Sequence, residues 1–404
     1  MITERYHICS CLIYQANTLP DKSGNYKTME QNPFAYGVEV SGSAFWDREN
    51  ESRELKKELS NSQNVVIFSK RRMGKTSLIK EVLRELPQNK FITACIDLYP
   101  TASVEDFALR YAMGVSSAIK GPVNKILAEA KAIFRSFTPM LTLDDEGKPV
   151  LTIDFGRNIK QQALLDEVLE AFPAYCAKKG KPGVLVLDEF QQIGTYDKER
   201  KLEATLRSHY QTHKNISYVF LGSKKHLLTE IFNSPNRPFY HSAMMFPLKE
   251  MDTSVMTDCV IRRFEDSGCK VERSEAEYLI EQADRHPYYT QRIAHVVWNS
   301  AISGKRDVTK AEVDAAIKRI IDENSDYFRS LCELLTQHQL NALKVAAHIN
   351  GEKVFSKDFL SRHNWQKDSL KQALDALVDK DILSREENIY KIDDVFFRRW
   401  LLLK

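Results

Sequence analysis

No uninterrupted apolar segment of this 404-residue chain approaches the roughly 20 residues needed to cross a bilayer, which argues against a membrane-spanning helix. The seven cysteines (Cys9, Cys11, Cys95, Cys176, Cys259, Cys269 and Cys332) are odd in number, scattered, and never spaced as Cys-x-x-Cys. That pattern favours reduced thiols in a cytoplasmic protein over a disulfide frame or a zinc site. Charge of one sign is also lacking: 58 Lys and Arg against 55 Asp and Glu leave a formal +3, so neither a strongly cationic nucleic-acid binder nor an acidic partner protein is indicated. What the chain does have is apolar mass, 43% hydrophobic and 10% aromatic, enough for two or three cores in a multi-domain protein.

The most informative stretch runs from Val65 to Ile79. An apolar β-branched run, Val65-Val66-Ile67-Phe68, ends in a short basic loop, and Gly74-Lys75-Thr76 then opens an apolar-periodic helix. The first amides of a helix have no intrahelical partner and carry the positive end of its dipole, so a loop wrapped into that end collects N–H donors around a phosphate. Ser69, Lys70, Arg71, Arg72, Met73, Gly74, Lys75, Thr76 and Ser77 are therefore the candidate residues for binding a nucleoside triphosphate. Lys75 is expected between the outer phosphates, and the Thr76 hydroxyl on a Mg2+ ion. Ser69 stands where the usual pattern has its first glycine. A serine there must keep ordinary backbone angles or carry strain, which leaves the loop's shape open.

A second acidic stretch supports the first. Val184-Leu185-Val186-Leu187-Asp188-Glu189 reads as a central parallel strand, buried on both faces, with its carboxylates at the C-terminal end where such sheets bind ligands. Asp188 is expected to hold the metal with Thr76, and Glu189 to act as base toward water. The run Ser217 to Ser223 is expected beside the loop strand, bringing Ser223 and Lys224 toward the γ-phosphate as candidate catalytic or sensing groups. A solvated helix start explains those two residues as well. Arg237 is a candidate phosphate or interface arginine. Before the loop strand, Phe45 to Glu49, including Arg48, either lie beside the base or ribose or form a helix start capped by Asp47 with Phe45 as a staple.

Residues 1–30 are expected to be a disordered tail, or a start placed upstream of Met29. An ATPase core is expected over 31–250, with further strands at Phe91 to Leu98 and Met244 to Leu248 and an inserted β-hairpin at about 138–155 around Asp144 to Pro149. From 251 to 330 the period is helical with little strand signal, and Pro287 fits the first turn of a helix. Residues 331–404 read as a winged helix: helices at roughly 336–349, 356–362 and 366–380, then a short strand pair. This module carries 12 Lys and Arg against 11 Asp and Glu, which is no strong charge for phosphate.

Taken together, Phe45 to Glu49, the Arg71 to Thr76 loop, Leu187-Asp188-Glu189, Leu221-Gly222-Ser223 and the ending Phe396-Phe397-Arg398-Arg399-Trp400-Leu401 resemble the archaeal-type ATPase family, in the STAND branch of the AAA-like P-loop ATPases. The resemblance implies an α/β P-loop fold with a parallel five-stranded core, a helical lid and a winged helix, and a slow, Mg2+-dependent ATP hydrolase whose nucleotide state works as a conformational switch. Pro287 matches the lid proline near the adenine, and Lys224 a phosphate-sensing basic residue; Arg285 stands where that family commonly has glycine. An unidentified protein partner and an oligomer in the ATP state are expected, and any effector activity is expected to lie elsewhere or to be absent. The alternatives are an ATP-regulated DNA binder, reading duplex with Gln366, Lys367, Ser369, Lys371 and Gln372, and a non-hydrolysing nucleotide-bound scaffold.

Overall fold

A computed structural model describes residues 18–20, 26–28, 31–38, 48–134, 137–143, 149–155, 161–304, 306–349, 354–386 and 389–404. The expected tail therefore falls largely outside the described residues, apart from a three-residue antiparallel pair, Thr18–Pro20 with Tyr26–Thr28. Phe45, Trp46 and Asp47 also lie outside them.

The five expected strands form one all-parallel sheet in the order Ile92–Asp97, Gly183–Asp188, Ile216–Gly222, Val65–Phe68, Met244–Pro247. The three inner strands are buried along their whole length, as a parallel sheet covered on both faces requires. On one face Leu55, Leu59, Ile79 and Val82 pack against Val65, Ile67, Val184 and Val219. The other face is aromatic, with Phe107, Tyr111, Phe172, Phe190 and Phe232 around Tyr218 and Phe220. Because the strands are parallel, Phe68, Asp188 and Gly222 all end at the same edge, and the loop leaves from the middle of it. The inserted hairpin pairs Phe137–Leu143 with Pro149–Phe155.

Beyond the sheet, the lid comprises Thr253–Asp266, Arg273–Gln282, Pro287–Ile302, Lys310–Glu323 and Ser325–Glu333. Sharp starts come from local chemistry: the Asp252 carboxylate accepts from the Ser254 and Val255 amides, and Thr309 and Glu312 form a reciprocal capping box. One detail departs from the purely helical expectation. Lys270–Val271 and Asp307–Val308 make a two-residue parallel pair, too short to give a period-2 signal. The segment at Asn32 to Phe34 is tied to this lid: Asn32 Nδ2 donates to the His295 carbonyl at 3.0 Å, and Phe34 is buried against Phe264.

The winged helix follows with Gln337–His348, Lys357–Arg362, Lys367–Asp379, the strands Leu383–Glu386 and Ile389–Ile392, and a closing helix Val395–Leu402. Lid and winged helix share a continuous buried cluster, running from Val260, Phe264 and Ile293 through Phe328 to Leu374, Phe396 and Leu401. Tyr289 of the lid meets Phe396 edge-on at 5.5 Å, and Arg399 reaches back to the Gln282 carbonyl at 2.8 Å.

Candidate functional site

The loop between Phe68 and Lys75 takes its tight turns at two left-handed residues, Arg72 (φ +62°) and Gly74 (φ +87°). Ser69 is not among the residues with positive φ. The missing first glycine is therefore no obstacle: the strained angles sit further along, and the Ser69 hydroxyl donates to the Lys70 carbonyl at 3.1 Å. Gly74 has open space where a Cβ would stand, so glycine is favoured there by its backbone angle. The helix Lys75–Glu85 starts directly after it with no side-chain cap, leaving its first amides for a ligand.

Lys75 is buried, and its ammonium donates to the carbonyls of Ser69 at 3.4 Å and Lys70 at 3.2 Å. Burial pushes its pKa below the usual lysine value, against the raising pull of Glu189 and Asp188. The Thr76 hydroxyl donates to Asp188 Oδ2 at 2.7 Å, bridging loop helix and acidic strand. Burial raises the Asp188 carboxyl above its ordinary range, and the Thr76 hydrogen bond opposes the rise. A hydroxyl and a carboxylate in contact at the loop's mouth are a hard-oxygen donor pair of the kind Mg2+ takes, so Thr76 and Asp188 fit the expected ion.

Glu189 has left-handed backbone (φ +52°), a sparsely populated conformation for a non-glycine residue that marks candidate functional positions. Its Oε2 accepts from the Ser223 hydroxyl at 3.0 Å and from the Gln191 amide. The reading of the sequence passed over Gln191. It is buried, its Oε1 has no partner among the described residues, and that atom lies 2.0 Å from where a Cβ on Gly222 would be. Gly222 therefore makes room for Gln191 at the end of the neighbouring strand. The signal was a glutamine three residues after Asp188, which no strand or helix pattern marks.

The remaining candidates sit around the loop rather than in it. Arg48 is buried at the start of the helix Glu49–Ser60, where it pairs with Glu51 at 2.9 Å and donates to the Lys249 and Met73 carbonyls. It stands at the cap position itself, with no side-chain cap. Pro287 opens the lid helix and, with Tyr36, Arg48, Gly74, Ser77 and Tyr288, lines a cleft of about 90 Å³. The Arg72 guanidinium lies 4.4 Å over the Tyr288 ring. Arg285, two residues before Pro287, has φ +55°, so it occupies the left-handed backbone that a glycine would take without strain. Lys70 pairs with Glu250 at 3.6 Å. Lys224 caps the helix Lys225–Asn233 and reaches Asp381 of the winged helix at 3.0 Å. Arg237 pairs with buried Glu203 at 2.7 Å and with Glu230 at 3.1 Å.

A larger cavity, about 590 Å³, separates the loop from the winged helix, between Lys70 to Met73, Arg285 and His286 on one side and Lys380 to Ile382 and Asp393 to Val395 on the other. His286 Nε2 lies 3.1 Å from the Arg71 carbonyl. Burial, with the charges of Lys70, Arg72 and Lys75, brings the His286 pKa down to about 4, so the imidazole is neutral and donates to that carbonyl.

Comparison with known proteins follows the same outline. Residues 45–254 match the family described as an ATPase domain predominantly from Archaea, and residues 326–403 one described as a probable winged helix domain. A Walker-type ATPase of Pyrococcus abyssi superposes with a TM-score of 0.62 at 20% identity, over 92% of this chain and 99% of that one. The Aeropyrum pernix ORC1 protein, solved in complex with DNA, gives 0.51 at 14% identity over 90% and 93%. The Aeropyrum pernix ORC2 protein, solved in ADPNP-ADP complexes, gives 0.51 at 14% identity over 88% and 94%. At these identities the likeness is one of fold. No relative among curated proteins matches the chain.

Proposed function

Since the chain belongs to the family of ATPase domains found predominantly in Archaea, we propose that it binds ATP with Mg2+ at the Ser69 to Ser77 loop, hydrolyses it slowly, and uses the nucleotide state as a switch. The observation that carries this reading is the joined pair of contacts at one strand end: Thr76 to Asp188 at 2.7 Å, and Ser223 to Glu189 at 3.0 Å. A metal-holding pair and an oriented carboxylate stand side by side behind a phosphate loop.

Incoming phosphate oxygens take the place of the Ser69 and Lys70 carbonyls on the Lys75 ammonium, and the loop amides add neutral donors. Thr76 and Asp188 would hold Mg2+, which supplies charge neutralisation on the phosphates when bound. Glu189 Oε2 is fixed by Ser223 and Gln191, which turns the other carboxylate oxygen toward water as the proton acceptor. The base would enter the cleft beside Pro287 and Tyr288, where Arg72 now lies over the ring. Motion then reaches the winged helix along Lys224 and Asp381 and across His286 and Arg71. This is the behaviour of a STAND-type switch.

Glu189→Gln tests the assignment: hydrolysis by the purified chain falls about 10²- to 10⁴-fold while ATP binding persists. Unchanged turnover would remove Glu189 from the role, and ADP held without turnover in the unaltered chain would favour the scaffold.

A second reading rests on the exposed face of Lys367–Asp379, where Gln366, Lys367, Lys371 and Gln372 all reach solvent. Ser369 instead lies 2.9 Å from His338. The balanced charge of the module weighs against duplex binding. Absence of duplex binding at low salt disposes of it.

A further inference from the structure

At the end of the sheet opposite the phosphate loop, three side chains converge that the nucleotide chemistry does not use. Glu170 comes from the helix Gln161–Lys179, His209 from the last turn of Lys201–Tyr210, and His213 from the turn that leads into the strand Ile216–Gly222. Glu170 Oε1 lies 2.6 Å from His209 Nδ1 and 3.1 Å from His213 Nε2. Among the described residues this is the one group of three His, Cys, Asp or Glu whose donor atoms all lie within 4.8 Å of one another.

The outer nitrogens are held too. His209 Nε2 lies 3.0 Å from Asp166 Oδ1, and His213 Nδ1 lies 2.6 Å from the Tyr218 hydroxyl. Imidazoles that ligate metals are oriented in this way, the far nitrogen engaged by a carboxylate or another polar group and the near one aimed at the ion. The two rings are well covered, 17% and 5% exposed, whereas the Glu170 side chain is 52% exposed. The site thus has rigid nitrogen donors inside and an entry path on its carboxylate side.

We propose that Glu170, His209 and His213 bind a zinc-class divalent transition metal ion, with water in the fourth position. Two imidazoles and one carboxylate suit zinc and its neighbours, whereas Mg2+ prefers oxygen alone. Tetrahedral bonds of about 2.0–2.2 Å place donors about 3.3–3.6 Å apart, so the carboxylate must draw back by roughly 0.7–1 Å from His209 and by roughly half an ångström or less from His213, which side-chain rotation supplies. The cysteine spacing argues against a Cys-x-x-Cys zinc site, and nothing in it bears on histidine donors. The bound ion ties two helices on the aromatic face of the sheet to each other and, through Tyr218, to the strand beside the phosphate loop. The proposal is independent of the ATPase reading.

The test uses the full chain, freed of metal by a chelator and titrated with Zn2+ in the presence of excess Mg2+, and with Co2+ as a spectroscopic probe. One Zn2+ per chain binds uncompeted by Mg2+, raises the unfolding temperature, and the Co2+ form shows the intense visible bands of four-coordination. Glu170→Gln with His209→Asn abolishes both effects; Asp166→Asn, which removes only an outer partner, weakens binding about 10- to 100-fold. Glu170 and Asp166 are surface carboxylates, so these variants keep the fold even where His213→Ala, beneath Tyr218, does not. Absence of Zn2+ binding to the unaltered chain overturns the proposal. Binding that survives unchanged in the Glu170→Gln and His209→Asn chain also overturns it, because the ion then sits on thiols.

Discussion

The two halves of the molecule hold together by different means. In the first, a parallel sheet is sealed on both faces by separate apolar clusters, and the polar groups of the candidate nucleotide site are gathered at one edge, around Lys75, Asp188 and Glu189. In the second, lid and winged helix share a continuous apolar cluster. Between them the described contacts include polar and cation–ring pairs: His286 to Arg71, Lys224 to Asp381 and Arg72 over Tyr288, around a cavity of about 590 Å³. Rigid bodies with a polar seam are what a nucleotide can reposition, since surface ion pairs are worth only about 0–1 kcal/mol each and exchange readily with phosphate.

The comparison is broken most severely if lid and winged helix have separate cores. Phe396 is fully buried and meets Tyr289 across the boundary between them. Phe396→Ala is expected to cost about 3–5 kcal/mol and to raise amide exchange in Thr253–Asp266 and Lys367–Asp379 together, leaving Gly183–Asp188 protected. Faster exchange confined to the winged helix would divide the unit in two.

The seam itself should respond to acid. His286 has a folded pKa of about 4, below its ordinary 6.5, with burial the main cause. The buried pocket favours the neutral imidazole, while the Arg71 carbonyl by itself favours the charged ring. The stability gained by burying neutral His286 is therefore complete above the unfolded pKa and is lost as pH falls from about 6.5 through about 4. The loss approaches something on the order of 3 kcal/mol below that range. Limited proteolysis around the loop should accelerate across that window in the unaltered chain, and the acceleration should be absent in His286→Gln.

Much of the first half was legible in the sequence because its signals are local. A buried parallel strand must be a continuous apolar run, so Val65 to Phe68, Val184 to Leu187 and Ser217 to Leu221 announced themselves, and the order of strand, loop and helix located Lys75 and Thr76. The winged helix was legible through its order of three helices and a strand pair. The seam was not, since which lysine faces which carboxylate depends on how two bodies dock; Lys224 was expected at phosphate and lies on Asp381. Nor were the left-handed residues. Arg72, Glu189 and Arg285 take backbone angles that glycine or asparagine would have advertised. Gln191 and the Glu170, His209 and His213 group assemble only in three dimensions.

Within the first half, Gly222→Ala sharpens the claim that the proposed catalytic edge is positioned by close packing. An added Cβ would lie 2.0 Å from Gln191 Oε1 and 2.7 Å from Leu228 Cδ1, so Gln191 must move and release one hold on Glu189. A fall of about tenfold in kcat is expected, equivalent to about 1.4 kcal/mol, with ATP affinity kept. Equal losses in both would point to a distorted strand instead.

The smallest effect bears most directly on coupling. Lys224 and Asp381 are 38% and 52% exposed, so a double-mutant cycle on nucleotide-free protein with Lys224→Met and Asp381→Asn should give a coupling of only about 0.2–1 kcal/mol. A pair this weak is one that the proposed switch could open. If ATP draws Lys224 toward the γ-phosphate, the coupling vanishes in the ATP-bound Glu189→Gln chain and returns with ADP. A coupling that is the same in all three states would mean that Lys224 never leaves Asp381, and the winged helix would have to be moved through His286 and the loop alone.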